Sequence, residues 1–228
     1  MSLPGTPSLA FLTVIFLLLP WMALRSGRRL RAAFDGAEGT STPTANQVWV
    51  SSFLLQALLL YLAWRVGGEF EYRIFAVPDL SGTALLQAAA ALLACLGIRA
   101  LARLGLTAAD RRTMMVYRLS PRTGRERMLQ LATIVAASVA EEAAYRGVAF
   151  AILWYALGSG WAAAVLSAVA FALAHTVQGW RSAGWVFLVG LVMQGLAVLT
   201  GTLVLAMVVH FLYDVIATTL IRAEVEHA

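Results

Sequence analysis

The feature of the sequence that most limits its fold is a succession of long apolar runs separated by short polar segments. Most of these runs are close to the length that a helix needs to cross a bilayer, about 20 residues. In lipid the backbone must satisfy its own hydrogen bonds, so such runs predict helices. Hydrophobic residues make up 61% of the 228 residues and charged residues 13%, whereas a soluble domain carries roughly 45–50% and about 25%. The sequence therefore predicts an all-α, polytopic membrane protein.

Seven apolar runs can be separated along the chain. Their predicted helices cover residues 9–24, 48–66, 84–106, 126–157, 161–175, 183–199 and 203–221. With the N-terminus outside, segments 25–46, 104–127 and 177–182 lie inside and hold nearly all of the extramembrane Arg, as the positive-inside rule requires. All 17 basic residues are Arg, and Ala is frequent, which is typical of a GC-rich bacterial genome. We expect a multi-pass protein of the bacterial inner membrane with a cytoplasmic C-terminus.

The chain divides into four segments by composition. They are three N-terminal membrane helices (1–106), a basic cytoplasmic connection (107–127), a four-helix core (128–222) and a short tail (223–228). In the connection, Thr107 and Asp110 have the spacing of a helix N-cap and predict an interfacial helix, with a solvated basic loop as the alternative. His227 lies in the tail, where we expect it to be solvated.

The partners implied by composition are the lipid bilayer and membrane proteins. The net charge of +5 is that of many nucleic-acid-binding proteins. The Arg residues, however, lie between apolar runs, as topology determinants do, so we expect no nucleic acid partner. Cys95 is the single cysteine, and because it lies inside an apolar run we expect a small buried residue.

Ionisable residues interrupt the fourth run near its middle: Glu141, Glu142 and Arg146. An acid or Arg at the centre of a membrane helix costs about 2.5–3.5 kcal/mol on insertion scales, so such residues mark function. Glu142 and Arg146 are four positions apart on one helix face and are predicted to pair. Glu141 is turned by about 100° from Glu142, so its partner must come from another helix.

The other ionisable residues inside predicted spans are His175, His210 and Asp214. His210 and Asp214 are four positions apart, so the carboxylate can orient the imidazole. Phe171 precedes His175 by the same spacing, and its ring is predicted to wall that imidazole. At about 1.5 Å rise per residue, Glu141, His210 and Asp214 lie near the middle of their helices. Three helices are thus predicted to bring a carboxylate and two imidazoles into a cavity open to the cytoplasm.

Together these residues form an ordered set of motifs. The set is Glu141-Glu142-x-x-x-Arg146, Phe171-x-x-x-His175 and His210-x-x-x-Asp214. It resembles the CAAX protease and bacteriocin-processing family, intramembrane endopeptidases that include the type II CAAX prenyl endopeptidases. The resemblance covers about residues 126–222 and leaves residues 1–106 uncovered. It implies hydrolysis of a peptide bond in a membrane-associated protein or peptide.

The resemblance also implies roles for single residues. Glu141 matches a general base acting on a water that His175 helps to hold. His210, with Asp214, would polarise the scissile carbonyl and stabilise the oxyanion. Glu142 and Arg146, the supporting pair, would set the local field. Family members often have Asn where this chain has Asp214, and an ionised Asp cannot donate a hydrogen bond to an oxyanion.

Other functions use the same residues. Glu141, His175 and His210 are also a ligand set for zinc with a water in the open position. We favour a metal-free mechanism because the sequence lacks a His-Glu-x-x-His helix. Buried carboxylates and histidines also form the proton relays of transporters, although two matching halves are absent from the sequence. The last alternative is a non-enzymatic immunity or scaffold protein with a degenerate site.

Overall fold

The computed structural model describes residues 5–38, 41–69, 72–78 and 80–226. Within these ranges the chain is helical, with short connections and no β-strand. In chain order the helices are α1 (Thr6–Phe34), α2 (Ala45–Gly68), α3 (Gly82–Arg103), α4 (Ala108–Thr113), α5 (Met115–Arg118), α6 (residues 124–157), α7 (Gly160–Ala174), α8 (Trp180–Thr200) and α9 (Leu203–Glu226). The predicted all-α membrane bundle is confirmed.

Five of these helices, α1, α2, α3, α8 and α9, are long and apolar enough to cross a membrane. α7 has 15 residues, which extend over roughly 22 Å of a hydrocarbon core about 30 Å thick. α6 is long, but Glu141, Glu142 and Arg146 interrupt its apolar sequence. Each of the seven predicted runs corresponds to one of these helices, but α3 ends at Arg103, three residues before the predicted end, and α7 ends at Ala174, one residue before it. The number of membrane crossings stays a prediction.

The two ends of the chain are more helical than the sequence predicts. The first helix continues ten residues beyond residue 24, to Phe34, because seven of the ten are Arg, Ala or Leu, which are good helix formers. It contains a wide, π-helical stretch at Val14–Leu18, just before Pro20, which has no N–H to donate to the preceding turn. At the other end, residues 223–226 belong to α9 rather than to a separate tail. His227 lies outside the described residues.

The basic connection contains two short helices, α4 and α5. At the start of α4, the Thr107 hydroxyl accepts a hydrogen bond from the Asp110 backbone N–H, and the Asp110 carboxylate accepts from the Thr107 N–H at 2.9 Å. This capping box confirms the predicted helix start. Hydrogen bonds with Thr107 hold the pKa of Asp110 below its usual value. That the two helices lie on the membrane surface stays a prediction.

Glu224, near the end of α9, joins three elements on the same side of the bundle. Its carboxylate accepts hydrogen bonds from Arg99 at 3.1 Å, from Arg103 at 3.2 Å and from the Tyr117 hydroxyl. Burial acts to raise the pKa of Glu224, but the bonds from Tyr117 and the two guanidinium groups outweigh it and hold the pKa below its ordinary value. The cluster fastens α5 and the end of α3 to α9.

α6 lies at the centre of the bundle, in contact with α2, α7, α8 and α9. Residues 142–149 are all buried, and four alanines of α6 have no exposed surface: Ala140, Ala143, Ala144 and Ala149. Small side chains let neighbouring helices approach closely, which is how helices associate in lipid. The ionisable residues of α6 are therefore surrounded by protein on several sides.

α1 supports the turn that follows α7. A Cβ atom at Gly27 would lie 2.9 Å from the Cα atom and 3.2 Å from the carbonyl oxygen of Val177. One turn later, Arg31 donates a hydrogen bond to the same carbonyl at 3.3 Å. Only glycine allows this approach of the two backbones.

We expect Gly27→Ala to destabilise the protein by about 1–3 kcal/mol, the usual cost of forcing an extra carbon into a packed contact. The atoms that the new Cβ meets belong to backbone and cannot rotate away, so α1 must shift. Gly97→Ala on α3 is the matched control, because a Cβ there meets nothing within 4 Å. The melting temperatures of the purified variants in detergent measure the effect, and equal values would contradict the contact.

Candidate active site

The centre of α6 departs from α-helical geometry at the residues of interest. Glu142–Ala149 form a π-helical stretch directly after Glu141, where the sequence predicts a continuous α-helix. Ser167 Oγ donates to the Tyr145 carbonyl at 2.5 Å, and Gln194 Nε2 lies 3.5 Å from the Arg146 carbonyl. Wide turns of this kind occur frequently at functional sites, because they change the direction of side chains within one helix.

The predicted pair of Glu142 and Arg146 forms. Arg146 Nη1 lies 3.2 Å from Glu142 Oε1, and the two side chains are 2% and 0% exposed. The Arg146 guanidinium also lies over the ring of Phe171, 3.9 Å from its centroid. Such a stacked, paired cation is stabilised where water is excluded.

Glu142 has a second partner that the sequence does not predict. His210 Nδ1 lies 2.8 Å from Glu142 Oε1. The same carboxylate oxygen therefore contacts a guanidinium on its own helix and an imidazole on α9. Because a carboxylate accepts and the ring nitrogen must donate to it, this bond determines which face of His210 points toward the rest of the site.

Glu141 presents its two oxygens to different neighbours. Oε1 accepts a hydrogen bond from Gln56 Nε2 on α2 at 2.6 Å. Oε2 lies 3.9 Å from His175 Nε2 and 3.8 Å from His210 Nε2. The predicted convergence of one carboxylate and two imidazoles is thus present. Both separations exceed a direct hydrogen bond and suit a water between the groups.

His175 lies directly after the last residue of α7. Its Nδ1 is 2.8 Å from the Phe171 carbonyl oxygen. A carbonyl can only accept, so Nδ1 carries the hydrogen and Nε2 of the neutral ring faces Glu141 with a lone pair. The Phe171 ring walls the imidazole, as predicted, with ring centroids 4.4 Å apart. Gly190 on α8 packs against this part of α7, since a Cβ there would lie 3.3 Å from the Cβ atom of Ala168 and 3.4 Å from the Phe171 ring.

Asp214 lies one turn after His210 on α9. Its Oδ2 is 3.6 Å from His210 Nε2, and its side chain is 30% exposed, against 8% for His210. The predicted association of the two residues is present, although their separation is longer than a hydrogen bond. Asp214 lies at the border between the buried pair and open space.

A cavity of about 1,720 Å³ extends to these residues. Glu141, His175, His210 and Asp214 line its inner end. Ala33, at the end of α1, and several residues around the start of α2 line the opposite end: Thr42, Pro43 and Gln47. This is the side on which the positive-inside rule places the cytoplasm.

The first three helices contribute to the cavity, a role that sequence reasoning missed. α1, α2 and α3 supply much of its wall, and Gln56 bonds directly to Glu141. The sequence signal was a single amide inside the apolar run of residues 48–66, where an unsatisfied polar group is costly. Its partner was not predictable, because the register between α2 and α6 is a property of the folded bundle.

The zinc alternative was compared with the distances between its ligands. Four donors at about 2.0–2.1 Å from zinc in a tetrahedron lie about 3.4 Å from one another. The donor atoms of Glu141, His175 and His210 are 3.8–3.9 Å apart where measured. Among the described residues, no three His, Cys, Asp or Glu side chains meet the geometry of a metal site. As placed, the measured donor pairs are about 0.4–0.5 Å farther apart than in a tetrahedral zinc site.

Chemically, the arrangement suits activation of water. One carboxylate oxygen is engaged by an amide, the other faces two imidazoles, and a cavity reaches them. The second glutamate is paired with Arg146 and His210 and completely buried. The surroundings of the two adjacent carboxylates therefore differ: those of Glu141 suit a reactive group, and those of Glu142 suit a structural one.

Comparison with known proteins agrees with this geometry. A family model described as type II CAAX prenyl endopeptidase Rce1-like matches residues 124–216. The matched segment holds the motif residues on α6, α7 and α9 and leaves α1, α2 and α3 outside. No curated protein and no solved structure matches the chain. By this match, and in agreement with the order of the sequence motifs, residues 124–216 belong to the CAAX protease and bacteriocin-processing family.

Proposed function

We propose that the protein is an intramembrane endopeptidase that hydrolyses a peptide bond in a membrane-associated protein or peptide by a metal-free mechanism. The observation that carries the proposal is the position of Glu141 Oε2, 3.9 Å from His175 Nε2 and 3.8 Å from His210 Nε2. One carboxylate and two imidazoles meet at one point of a cavity inside an otherwise apolar bundle. The family of the matched segment supports peptidase chemistry at this point.

Glu141 acts as the general base. A water between Glu141 Oε2 and His175 Nε2 donates one hydrogen to each, because the carboxylate and the neutral imidazole nitrogen are both acceptors. Its oxygen then has a lone pair directed at the scissile carbonyl. Glu141 takes the proton as the carbon–oxygen bond forms and passes it to the leaving amine as the carbon–nitrogen bond breaks.

His210 stabilises the charge that develops on the carbonyl oxygen. Glu142, paired with Arg146, holds Nδ1, so Nε2 is directed into the site. For both ring nitrogens to donate, the ring carries a hydrogen on each during this step. A donor held in place before the reaction stabilises the oxyanion without reorganisation. Asp214 lies beside the same nitrogen of His210, so its side chain also faces the place where the substrate would bind.

The substrate approaches from the side on which the cavity opens. A volume of about 1,720 Å³ is sufficient for several residues of an extended peptide. A bacterial chain would cut leader or bacteriocin peptides, a regulatory membrane protein or a C-terminal sorting tail rather than a prenylated protein. The inner membrane location, with the N-terminus outside and the C-terminus in the cytoplasm, is part of the proposal.

We expect Glu141→Gln and His175→Ala to lower the cleavage rate by at least 100-fold, the contribution typical of a general base. Glu141→Gln removes the base, and His175→Ala removes an acceptor for the water. Comparison of membrane proteomes from cells with the active chain or Glu141→Gln identifies the substrate, and cleavage of that substrate by purified protein gives the rate.

Glu69→Gln is the matched control for this prediction, because Glu69 is exposed at the end of α2, away from the cavity. It should retain the full rate. If Glu141→Gln and His175→Ala also retain it, the proposed function is wrong. Proton-driven flux in liposomes without any peptide product would instead identify a transporter.

We expect removal of metal ions to leave cleavage unchanged. The mechanism above needs only side chains and water. Elemental analysis of the purified protein should find far less than one zinc per chain, and dialysis against a chelator should not change the rate. One zinc per chain, lost together with activity and restored with it, would establish the metalloprotease with Glu141, His175 and His210 as ligands.

We expect Asp214→Asn to retain activity to within about tenfold, because the amide N–H can donate to the oxyanion, as an ionised carboxylate cannot. Asp214→Leu has a similar volume and no polar atom, so it should fall well below Asp214→Asn. Rates on the identified substrate compare the two variants. Equal losses in both would show that the negative charge itself is needed.

A further inference from the structure

Gln56 lies in the middle of α2, outside the segment that matches the protease family. Its Nε2 donates to Glu141 Oε1 at 2.6 Å, across 85 positions of sequence. Hydrogen bonds from an amide to a charged carboxylate are shorter and about twice as strong as those between neutral groups. The bond therefore acts on the side chain that the proposed mechanism uses as its base.

The bond distinguishes the two oxygens of Glu141. Oε1 is engaged by Gln56, and Oε2 is the atom that faces His175 and His210. The terminal torsion of a glutamate is broad, so a free carboxylate would turn and present its oxygens to the water in many orientations. With one oxygen held, the other has a defined direction.

α2 is fastened to α6 on either side of this bond. Thr133 Oγ1 donates to the Trp49 carbonyl at 3.1 Å, seven positions before Gln56 on α2 and eight before Glu141 on α6. Further along, a Cβ at Gly67 would lie 3.1 Å from Val148. The two helices thus run side by side in the same direction. The amide is delivered to Glu141 by a rigid element rather than by a loop.

Gln56 has little else to hold it. Its own Oε1 is buried and has no hydrogen-bond partner among the described residues. An amide that served only to join helices would use both of its polar atoms, because each unsatisfied one is costly in an apolar bundle. Within the described part of the chain, the one hydrogen bond of its side chain is the bond to Glu141.

We propose that Gln56 is a positioning residue, which holds Glu141 so that Oε2 is directed at the water between the carboxylate and the imidazoles. The proposal rests on the proposed peptidase function and extends its machinery to the helices outside the family match. Gln56 touches neither the water nor the peptide in this role and acts only through Glu141.

The test is Gln56→Met, which has a similar length, suits a membrane helix and cannot donate. We expect kcat to fall by about 10–100-fold, because a small misplacement of a reacting group has effects of this size. KM should change by less than about threefold. Gln87→Met, the same change on α3 and away from the cavity, should leave both constants unchanged.

A double-mutant cycle separates positioning from structure. In the Glu141→Gln background the base is already lost, so adding Gln56→Met should lower the residual rate no further. A merely structural role predicts the same factor in both backgrounds. A wild-type kcat for Gln56→Met, a loss confined to KM, or equal factors in both backgrounds would overturn the proposal.

A second variant covers failure of the first to fold. Gln56→Asn keeps the amide but is about 1.5 Å shorter, so its kcat should lie between those of the wild type and a variant without a donor. An Asn variant as active as the wild type would count against positioning. Glu141→Gln in the same assay tests the proposed function separately. If Glu141→Gln is inactive and Gln56→Met is fully active, only the positioning role is wrong.

Discussion

The structure depends on the neutralisation of charge at Glu142. Its Oε1 contacts Arg146 at 3.2 Å on the same helix and His210 at 2.8 Å on α9. In a bundle surrounded by lipid an unpaired carboxylate is costly, and leaving one member of a buried charged set unpaired is strongly destabilising. The requirement to satisfy this one group therefore favours the placement of α9 that brings His210 against α6, and it fixes which side of His210 faces the cavity.

The same interaction explains why two adjacent glutamates have different roles. Glu142 is completely buried and has its charge partners at contact distance, so it is suited to hold other groups. Glu141, 7% exposed, reaches the cavity and meets its imidazoles only at 3.8–3.9 Å. The π-helical stretch begins between them, at Glu142. Adjacent residues thus serve as structural and reactive carboxylates because one faces the protein and the other faces a space that admits water.

The N-terminal helices belong to the site as much as the family-matched helices do. α1 supports the turn after His175 through the contact of Gly27 with Val177, and α2 bonds to Glu141 through Gln56. Residues 124–216 supply the motif side chains. The preceding helices supply much of the cavity wall and a hydrogen bond to Glu141, the proposed base. The segment without a family match is therefore more than a membrane anchor.

The sequence by itself determined what is local in this protein. Hydropathy placed the seven main helices, and spacing of four residues paired Glu142 with Arg146 and Phe171 with His175, because a helix turn brings such residues to one face whatever the fold. The spacing of Thr107 and Asp110 also predicted the start of α4, because a capping box is formed by residues close together in the sequence. Only the tertiary structure decided the partners between helices. His210 bonds to Glu142, and Gln56 bonds to Glu141, because such contacts depend on how each helix is rotated and shifted against its neighbours, and those quantities are set by the packing of the whole bundle.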